Sequence, residues 1–307
     1  MNLVFCGTPQ FAVPTMQKLV ETFSVQLVVT QPDRPKGRGL ELVASPVKQE
    51  AEKAGLPIYQ PEKIKTNEEL RTKLEQINPD AIIVVGYGRI IPPWMLQLPK
   101  FGNINLHASR LPKYRGAAPI QWAIANGERV AGVTTMRIDE GLDTGDILLQ
   151  RELSISEDDT AETLSPKLAA MGADLMIETL RALETGAIEP RKQDSSQAML
   201  APILKREDGR IDFSRAAQEI YNRFRGFQPW PGAFTTFRGR GLNVTAMKPA
   251  SEQTPPAHLV VRGSQVFVGC GNGSAIELLE LQPEGKKRMA AKDFVHGYRP
   301  QTMESIG

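Results

Sequence analysis

Only three histidines occur in the chain, His107, His258 and His296, and the first sits in the run Asn103-Ile104-Asn105-Leu106-His107-Ala108-Ser109. In a strand Asn105 and His107 would point the same way, because successive side chains alternate between faces. A carboxamide and an imidazole projecting together into a cleft can respectively stabilise an oxyanion and move a proton. The same spacing also fits a plain hydrogen-bonded pair at a strand end. Carboxylates able to orient the imidazole stand in Asp139-Glu140-Gly141-Leu142-Asp143-Thr144-Gly145-Asp146, a stretch that otherwise reads as an acidic solvent loop. No second histidine or cysteine lies nearby in sequence, so a proton-transfer pair is a better reading than a metal centre.

Other chemistries are disfavoured. Phe5-Cys6-Gly7-Thr8-Pro9-Gln10-Phe11 stands where a dinucleotide-binding protein would carry its glycine-rich fingerprint, yet it holds one glycine. The absence of a Walker A sequence excludes phosphoryl transfer of the P-loop kind. Cys6 and Cys270 are the only cysteines, too few for a disulfide framework and without the spacing of a zinc site, so both read as small core residues. The segment Gln31-Pro32-Asp33-Arg34-Pro35-Lys36-Gly37-Arg38-Gly39-Leu40 runs on to Ser45, well beyond the usual connection of roughly 4–6 residues. Arg34, Lys36 and Arg38 there suit a phosphate backbone. The alternative is a charged loop that binds nothing.

Positioning such groups requires a sheet, and the alternation of β-branched runs with amphipathic stretches up to about residue 150 predicts a mainly parallel one. Leu3 to Phe5, Val25 to Thr30, Ala81 to Val85 and Asn103 to His107 read as its strands, with Val130 to Ile138 and Ile147 to Ser154 as a pair beyond them. Helices are expected over Pro14 to Glu21, from Ser45-Pro46 to about Gly55, from a capping box at Thr66 to Glu69, and over Thr160 to Leu183. After a polar stretch without periodicity come a helix near Ser214 to Phe224 and short strands broken by Gly and Pro. The expected architecture is α/β: a Rossmann-like, mainly parallel sheet domain over residues 1–188 containing the basic loop 31–45, a linker over 189–205, and a small OB-like β-barrel over 206–307.

Composition agrees with this outline. At roughly 100–200 residues per domain, 307 residues suggest two. With 41% hydrophobic and 23% charged residues the chain is an ordinary globular one. No apolar run reaches the ~20 residues needed to span a bilayer and the N-terminus has no signal-peptide pattern, so the cytosol is the expected location. The net charge of +2 hides an asymmetry: residues 201–307 carry 15 Lys and Arg against 10 Asp and Glu, or +5, leaving 22 against 25, or −3, for the rest. A basic last third permits nucleic-acid binding and is equally compatible with a merely solvated face.

Asn105-Leu106-His107-Ala108-Ser109-Arg110-Leu111-Pro112-Lys113-Tyr114-Arg115-Gly116 followed by Gly141-Leu142-Asp143-Thr144-Gly145-Asp146 resembles the core of the 10-formyltetrahydrofolate-dependent formyltransferase family. Phe5 to Pro9, the Gln31 to Arg38 loop, Ser45 to Lys48 and Leu281 to Lys287 extend the likeness over the whole chain. They point to the branch whose acceptor is initiator methionyl-tRNA. The resemblance implies a formyl donor, 10-formyltetrahydrofolate, and no metal. It implies Asn105, His107 and Asp143 as the catalytic trio, and Gly86, Tyr87, Gly88, Ser109, Arg110, Leu111, Pro112 and Asp139 as the folate-binding residues. Arg34, Lys36, Arg38, Lys205, Arg206, Lys286 and Lys287 would meet the tRNA, and a cytoplasmic monomer is expected. Ser109-Arg110-Leu111-Pro112 departs from the family's Ser-Leu-Leu-Pro at Arg110, which would be costly to bury unless it reaches solvent.

Overall fold

The computed structural model describes residues 1–36 and 41–307. The chain begins with β1 (Asn2–Gly7), α1 (Val13–Thr22), β2 (Ser24–Val29), the hairpin β3 (Arg34–Lys36) and β4 (Glu41–Val43), α2 (Pro46–Lys53), β5 (Ile58–Tyr59), α3 (Glu68–Ile77) and β6 (Ala81–Val85). It continues through α4 (Pro93–Leu96), β7 (Asn103–His107), β8 (Arg115–Gly116), α5 (Pro119–Ala125), β9 (Val130–Arg137), β10 (Ile147–Ser154), α6 (Ala161–Thr185) and β11 (Leu200–Ala201). The later elements are α7 (Ala217–Gly226), β12 (Ala233–Phe237), β13 (Arg240–Ala250), β14 (Leu259–Arg262), β15 (Gln265–Gly269), β16 (Ala275–Pro283), β17 (Met289–Ala290) and α8 (Ala291–Tyr298).

Seven strands make the first sheet in the order β10-β9-β7-β6-β1-β2-β5. The run from β5 to β7 is parallel, and β9 and β10 are antiparallel. β6 is buried along its whole length, as expected of a strand covered on both faces. On one face Leu70 and Leu74 of α3 and Met95 of α4 join Val4, Cys6, Ile82 and Val84 in a core. Ser45 caps α2, its hydroxyl accepting from the Lys48 amide at 3.1 Å, with Pro46 at the first helical position. At α3 the cap is Asn67, one residue after the expected Thr66, and its Oδ1 accepts from the Leu70 amide at 2.7 Å. Asparagine caps at least as well as threonine, and the later start puts Glu68 and Glu69 both in the first turn, against the positive end of the helix. The connection expected as a loop between residues 31 and 45 holds the β3–β4 hairpin.

A second compact unit comprises residues 202–307 with two earlier stretches, 120–129 and 155–164. Its antiparallel sheet runs β12-β13-β16-β15-β14, with β17 on β16. Phe213, Ile220, Val244, Val268, Ile276, Leu281 and Phe294 form its core. β13 carries register shifts between Val244 and Met247, which bend the strand. The earlier stretches pack here for local reasons. A Cβ at Gly226 would lie 2.6 Å from the Gln121 carbonyl, Trp122 stands edge-on to Phe227 at 5.3 Å, and Arg225 Nη1 donates to the Asp159 carbonyl at 2.8 Å.

In the first unit α6 covers β7 from the side opposite its polar residues. A Cβ at Gly172 would stand 2.7 Å from Cδ2 of Leu106, which is buried between Asn105 and His107 in sequence. Filling that space is expected to cost about 1–3 kcal/mol. Gly172→Val should therefore lower the denaturant midpoint of the chain, measured by circular dichroism, and an unchanged midpoint would contradict this packing.

Candidate active site

β7 lies inside the sheet, between β6 and β9, with Val84 and Met136 beside Asn105 and Thr134 beside His107. Its alternate residues Asn103, Asn105 and His107 share one face. Asn103 Nδ2 donates to the carbonyls of Met95 and Leu96 at 2.9 and 3.3 Å, so the first of the three ties down the segment after β6. Sequence reading passed over Asn103, although its spacing from Asn105 was the available signal. Asn105 is half-buried, and among the described residues no hydrogen bond engages its carboxamide. His107 is buried, and its Nε2 lies 2.8 Å from the Tyr114 carbonyl. A carbonyl oxygen can only accept, so Nε2 carries the hydrogen and donates. Nδ1 is left facing Asp143, 3.6 Å from Oδ2. The expected trio is thus two residues of one strand and one of a loop, with His107 and Asp143 at ion-pair distance.

Asp143 adopts a left-handed backbone, φ +52°, a conformation that a non-glycine residue keeps only when its surroundings hold it there. Four sets of contacts do so. Its Oδ2 accepts from the Gly116 amide at 2.8 Å. Asp139 Oδ1 accepts from the Gly141 amide and the Thr144 hydroxyl at 3.0 and 2.7 Å, closing the loop on itself. A Cβ at Gly145 would run into the Arg137 carbonyl, so only glycine lets the loop approach β9 that closely. Gln193 Nε2 donates to the carbonyls of Asp143 and Gly145 at 2.8 and 2.7 Å, and its Oε1 accepts from Arg115 Nε and Nη2 at 3.1 and 2.8 Å. Gln193 falls in the stretch expected to be a linker. A glutamine among polar, aperiodic residues carries no signal that would have singled it out.

The residues implied for the folate donor occupy two neighbouring turns and the acidic loop. Gly86 and Gly88, with φ of +56° and +76°, follow β6. The Tyr87 side chain between them is buried, which pushes its phenol pKa up. Its carbonyl accepts from the Thr8 hydroxyl and Gln31 Nε2 at 3.2 and 3.0 Å. Ser109 to Pro112 is fixed from β9 and β10. Thr134 Oγ1 donates to the Ser109 carbonyl at 2.6 Å and accepts from the Leu111 amide at 3.2 Å, while Gln150 Nε2 donates to the Leu111 carbonyl at 2.8 Å. Arg110 reaches outward to pair with Glu152 at 2.8 Å, each side chain about half exposed. The burial cost that an arginine would face in this motif is avoided. Asp139 is engaged with donors of its own loop, as described above.

The basic residues lie apart from the trio in sequence and fall on both units. Arg34 is exposed, 3.8 Å from Glu62; Arg38 and the side chain of Lys36 lie outside the described residues. The root of that hairpin is firmly held. Asp33 meets Lys48 Nζ at 2.6 Å and Gln60 Nε2 at 2.8 Å, and these two hydrogen bonds hold its carboxyl below the usual range. In the second unit Lys205, Arg206, Lys286 and Lys287 are exposed. The Arg206 guanidinium stands 5.8 Å from the ring of Phe234. Phe234 is paired across β13 through Asn243 to Gln282, and Gln282 Nε2 donates to the Lys286 carbonyl at 3.1 Å. Among the described residues no group of three His, Cys, Asp or Glu side chains is placed to hold a metal ion.

This arrangement matches known proteins along its whole length. Residues 1–180 match the formyl transferase family and residues 203–299 the formyl transferase C-terminal domain. A methionyl-tRNA formyltransferase of Koribacter versatilis is 60% identical over 308 residues, covering 100% of this chain and 99% of the relative. That of Acidobacterium capsulatum is 62% identical over 300 residues, 97% of this chain and 96% of the relative. Among solved structures, an N-formyltransferase of Helicobacter canadensis, in complex with folinic acid and dTDP-3-aminofucose, superposes with a TM-score of 0.68 at 20% identity. It covers 92% of this chain and 98% of its own and shares the fold. Identity of this extent over the full length, on a fold whose interior strand β7 carries Asn105 and His107 and whose β9–β10 loop carries Asp143, makes the chain a member of the methionyl-tRNA formyltransferase family.

Proposed function

We propose that this chain transfers the formyl group of 10-formyltetrahydrofolate to the α-amino group of the methionine on initiator methionyl-tRNA, giving N-formylmethionyl-tRNA for translation initiation. The observation that carries the reading is the meeting of His107 and Asp143 at 3.6 Å beside an unengaged Asn105 carboxamide. The three are the groups that formyl transfer between nitrogens requires. The methionine ammonium first loses a proton and the free amine adds to the formyl carbon, placing negative charge on the formyl oxygen. An N–H of Asn105 donates to that oxygen as the charge develops, and the His107 ring on the same face of the strand adds to its stabilisation. Collapse of the tetrahedral adduct breaks the bond to N10 of the folate, which takes up a proton. Asp143, held beside Nδ1, receives the proton of the attacking nitrogen and returns it to the leaving one.

The loop Gly86-Tyr87-Gly88, the turn Ser109-Arg110-Leu111-Pro112 and Asp139 would line the donor, with Ser109 to Pro112 contributing backbone and Arg110 facing solvent. Both loops following β6 and β7 lie beyond carboxyl ends of parallel strands, where open α/β sheets bind ligands. Arg34, Lys36 and Arg38 would meet the acceptor end of the tRNA, and Lys205, Arg206, Lys286 and Lys287 its backbone elsewhere. Phe234 and Asn243 beside Arg206 add an aromatic and an amide to that face. No helix among the described residues is long and apolar enough to cross a membrane; a monomer working in the cytoplasm completes the proposal.

Formylation of charged initiator tRNA, compared with charged elongator tRNA, is the direct test. The initiator should be formylated much the faster, and absence of product with either would overturn the proposal. His107→Ala and Asn105→Ala should each lower kcat by about 100-fold or more while tRNA affinity holds. Replacing Lys286 and Lys287 by Ala should instead leave the chemistry intact and reduce the slope of log affinity against log salt by about one per residue. An unchanged slope would remove these two lysines from the RNA contact.

A further inference from the structure

We infer that Gln193, braced by Arg115, is the positioning residue that sets the Asp143 carboxylate against His107. The inference rests on the role proposed above for Asp143. The Gln193 amide is used to capacity. Its Nε2 has two hydrogens, and the carbonyls of Asp143 and Gly145 take them at 2.8 and 2.7 Å. Its Oε1 accepts twice from one guanidinium, Arg115 Nε at 3.1 Å and Nη2 at 2.8 Å. Carbonyls can only accept and a guanidinium can only donate, so the amide has a single orientation. Arg115 is itself buried, and its fork spends two donors on one oxygen, an arrangement that fixes a direction as well as a distance.

The contacts close into a ring. Gly116, the residue after Arg115, donates its amide to Asp143 Oδ2 at 2.8 Å. The dipeptide Arg115-Gly116 therefore holds Asp143 from both ends, its carboxylate directly and its backbone through Gln193. The segment bearing Gln193 returns to the same dipeptide, because β11 pairs with β8, Leu200 beside Arg115 and Ala201 beside Gly116. The Arg115 amide also donates to the Met199 carbonyl at 2.8 Å. A Cβ at Gly116 would lie 2.6 Å from the Ala201 carbonyl, so that approach needs glycine. Gln193 has no hydrogen bond to His107 or Asn105 among the described residues; its effect on the reaction passes through the Asp143 turn. That turn is left-handed at Asp143 and has reason to relax once the two carbonyls lose their donor.

Steady-state formylation by the full chain, with initiator methionyl-tRNA and formyl donor varied separately, tests the inference. Gln193→Ala should lower kcat by about 100-fold, the loss expected of a misplaced catalytic group, with smaller changes in both KM values. Its kcat–pH profile should also change shape, which a residue that serves stability alone would leave unmoved. Gln193→Glu separates the two halves of the contact. Glutamate still accepts from Arg115 but turns a carboxylate oxygen toward the two carbonyls, so it should be as impaired as alanine. Recovery of wild-type kcat by Gln193→Glu would show that the residue serves only Arg115 and would overturn the inference. If Gln193→Ala fails to fold by thermal melting, Arg115→Lys takes its place, with an intermediate kcat loss at unchanged KM expected and a wild-type kcat refuting. Asp143→Asn is the control. A wild-type chain without activity defeats the proposed reaction; an active wild type, an inactive Asp143→Asn and an unimpaired Gln193→Ala defeat this inference alone.

Discussion

The site depends on a short stretch of backbone that is not at ease by itself. Asp143 is left-handed at φ +52°, and its carboxylate must stay 3.6 Å from His107 Nδ1. Nothing within the 139–146 loop could enforce both. The loop closes locally through Asp139, but its position relative to His107 comes from Gly116, Gln193 and the close approach of Gly145 to Arg137. A polar group at a protein surface is cheap to hydrate and expensive to aim. Here the aim is supplied by backbone and amide groups that are already ordered, so little reorganisation is left for the moment when charge develops.

His107 is constrained by a different route. The Tyr114 carbonyl takes one ring nitrogen, at 2.8 Å, and the sheet fixes the backbone beneath it through pairing with β9 and packing of Leu106 against α6. Rotation of the ring would break the contact to Tyr114 and bury an unpaired N–H. The strand thus presents Nδ1 in one direction, and the chain that follows His107, through Ser109 to Gly116, supplies both the carbonyl for the ring and the amide for the carboxylate. Tyr114 and Gly116 also have positive φ. One irregular segment therefore orients the acid-base pair from both sides.

The elements that carry the trio were legible because burial writes itself into composition. Ala81 to Val85 is apolar throughout, and the strand found there has the bounds its composition implied. Asn103 to His107 alternates, and the alternation put Asn105 and His107 on a common face. The capping position of α3 was misplaced by one residue, since Thr66 and Asn67 are both competent caps and spacing to Glu69 favoured the wrong one. The pairing of β3 with β4 left no trace, because strands of three residues are too short to show alternation and β3, Arg34-Pro35-Lys36, has the composition of a loop. Arg110 was an expected difficulty that the structure resolves, its guanidinium lying outside against Glu152.

By itself the sequence determined which residues are chemically able to transfer a proton and stabilise an oxyanion, which strands are buried, and that the last third is basic. Periodicity, charge and capping are local properties and survive in a one-dimensional reading. Tertiary structure alone decided how Asp143 Oδ2 is held toward His107, that Asn103 ties down the segment after β6, and that Gln193 reaches 50 and 48 positions back along the chain to hold two carbonyls. Each of these depends on hydrogen bonds that no local pattern encodes, over eight positions for Asn103 and over 27 and 50 for the groups that hold Asp143. Such bonds follow from where the backbone has been carried by burial elsewhere, and a glutamine in a polar stretch looks the same whether or not it has a partner.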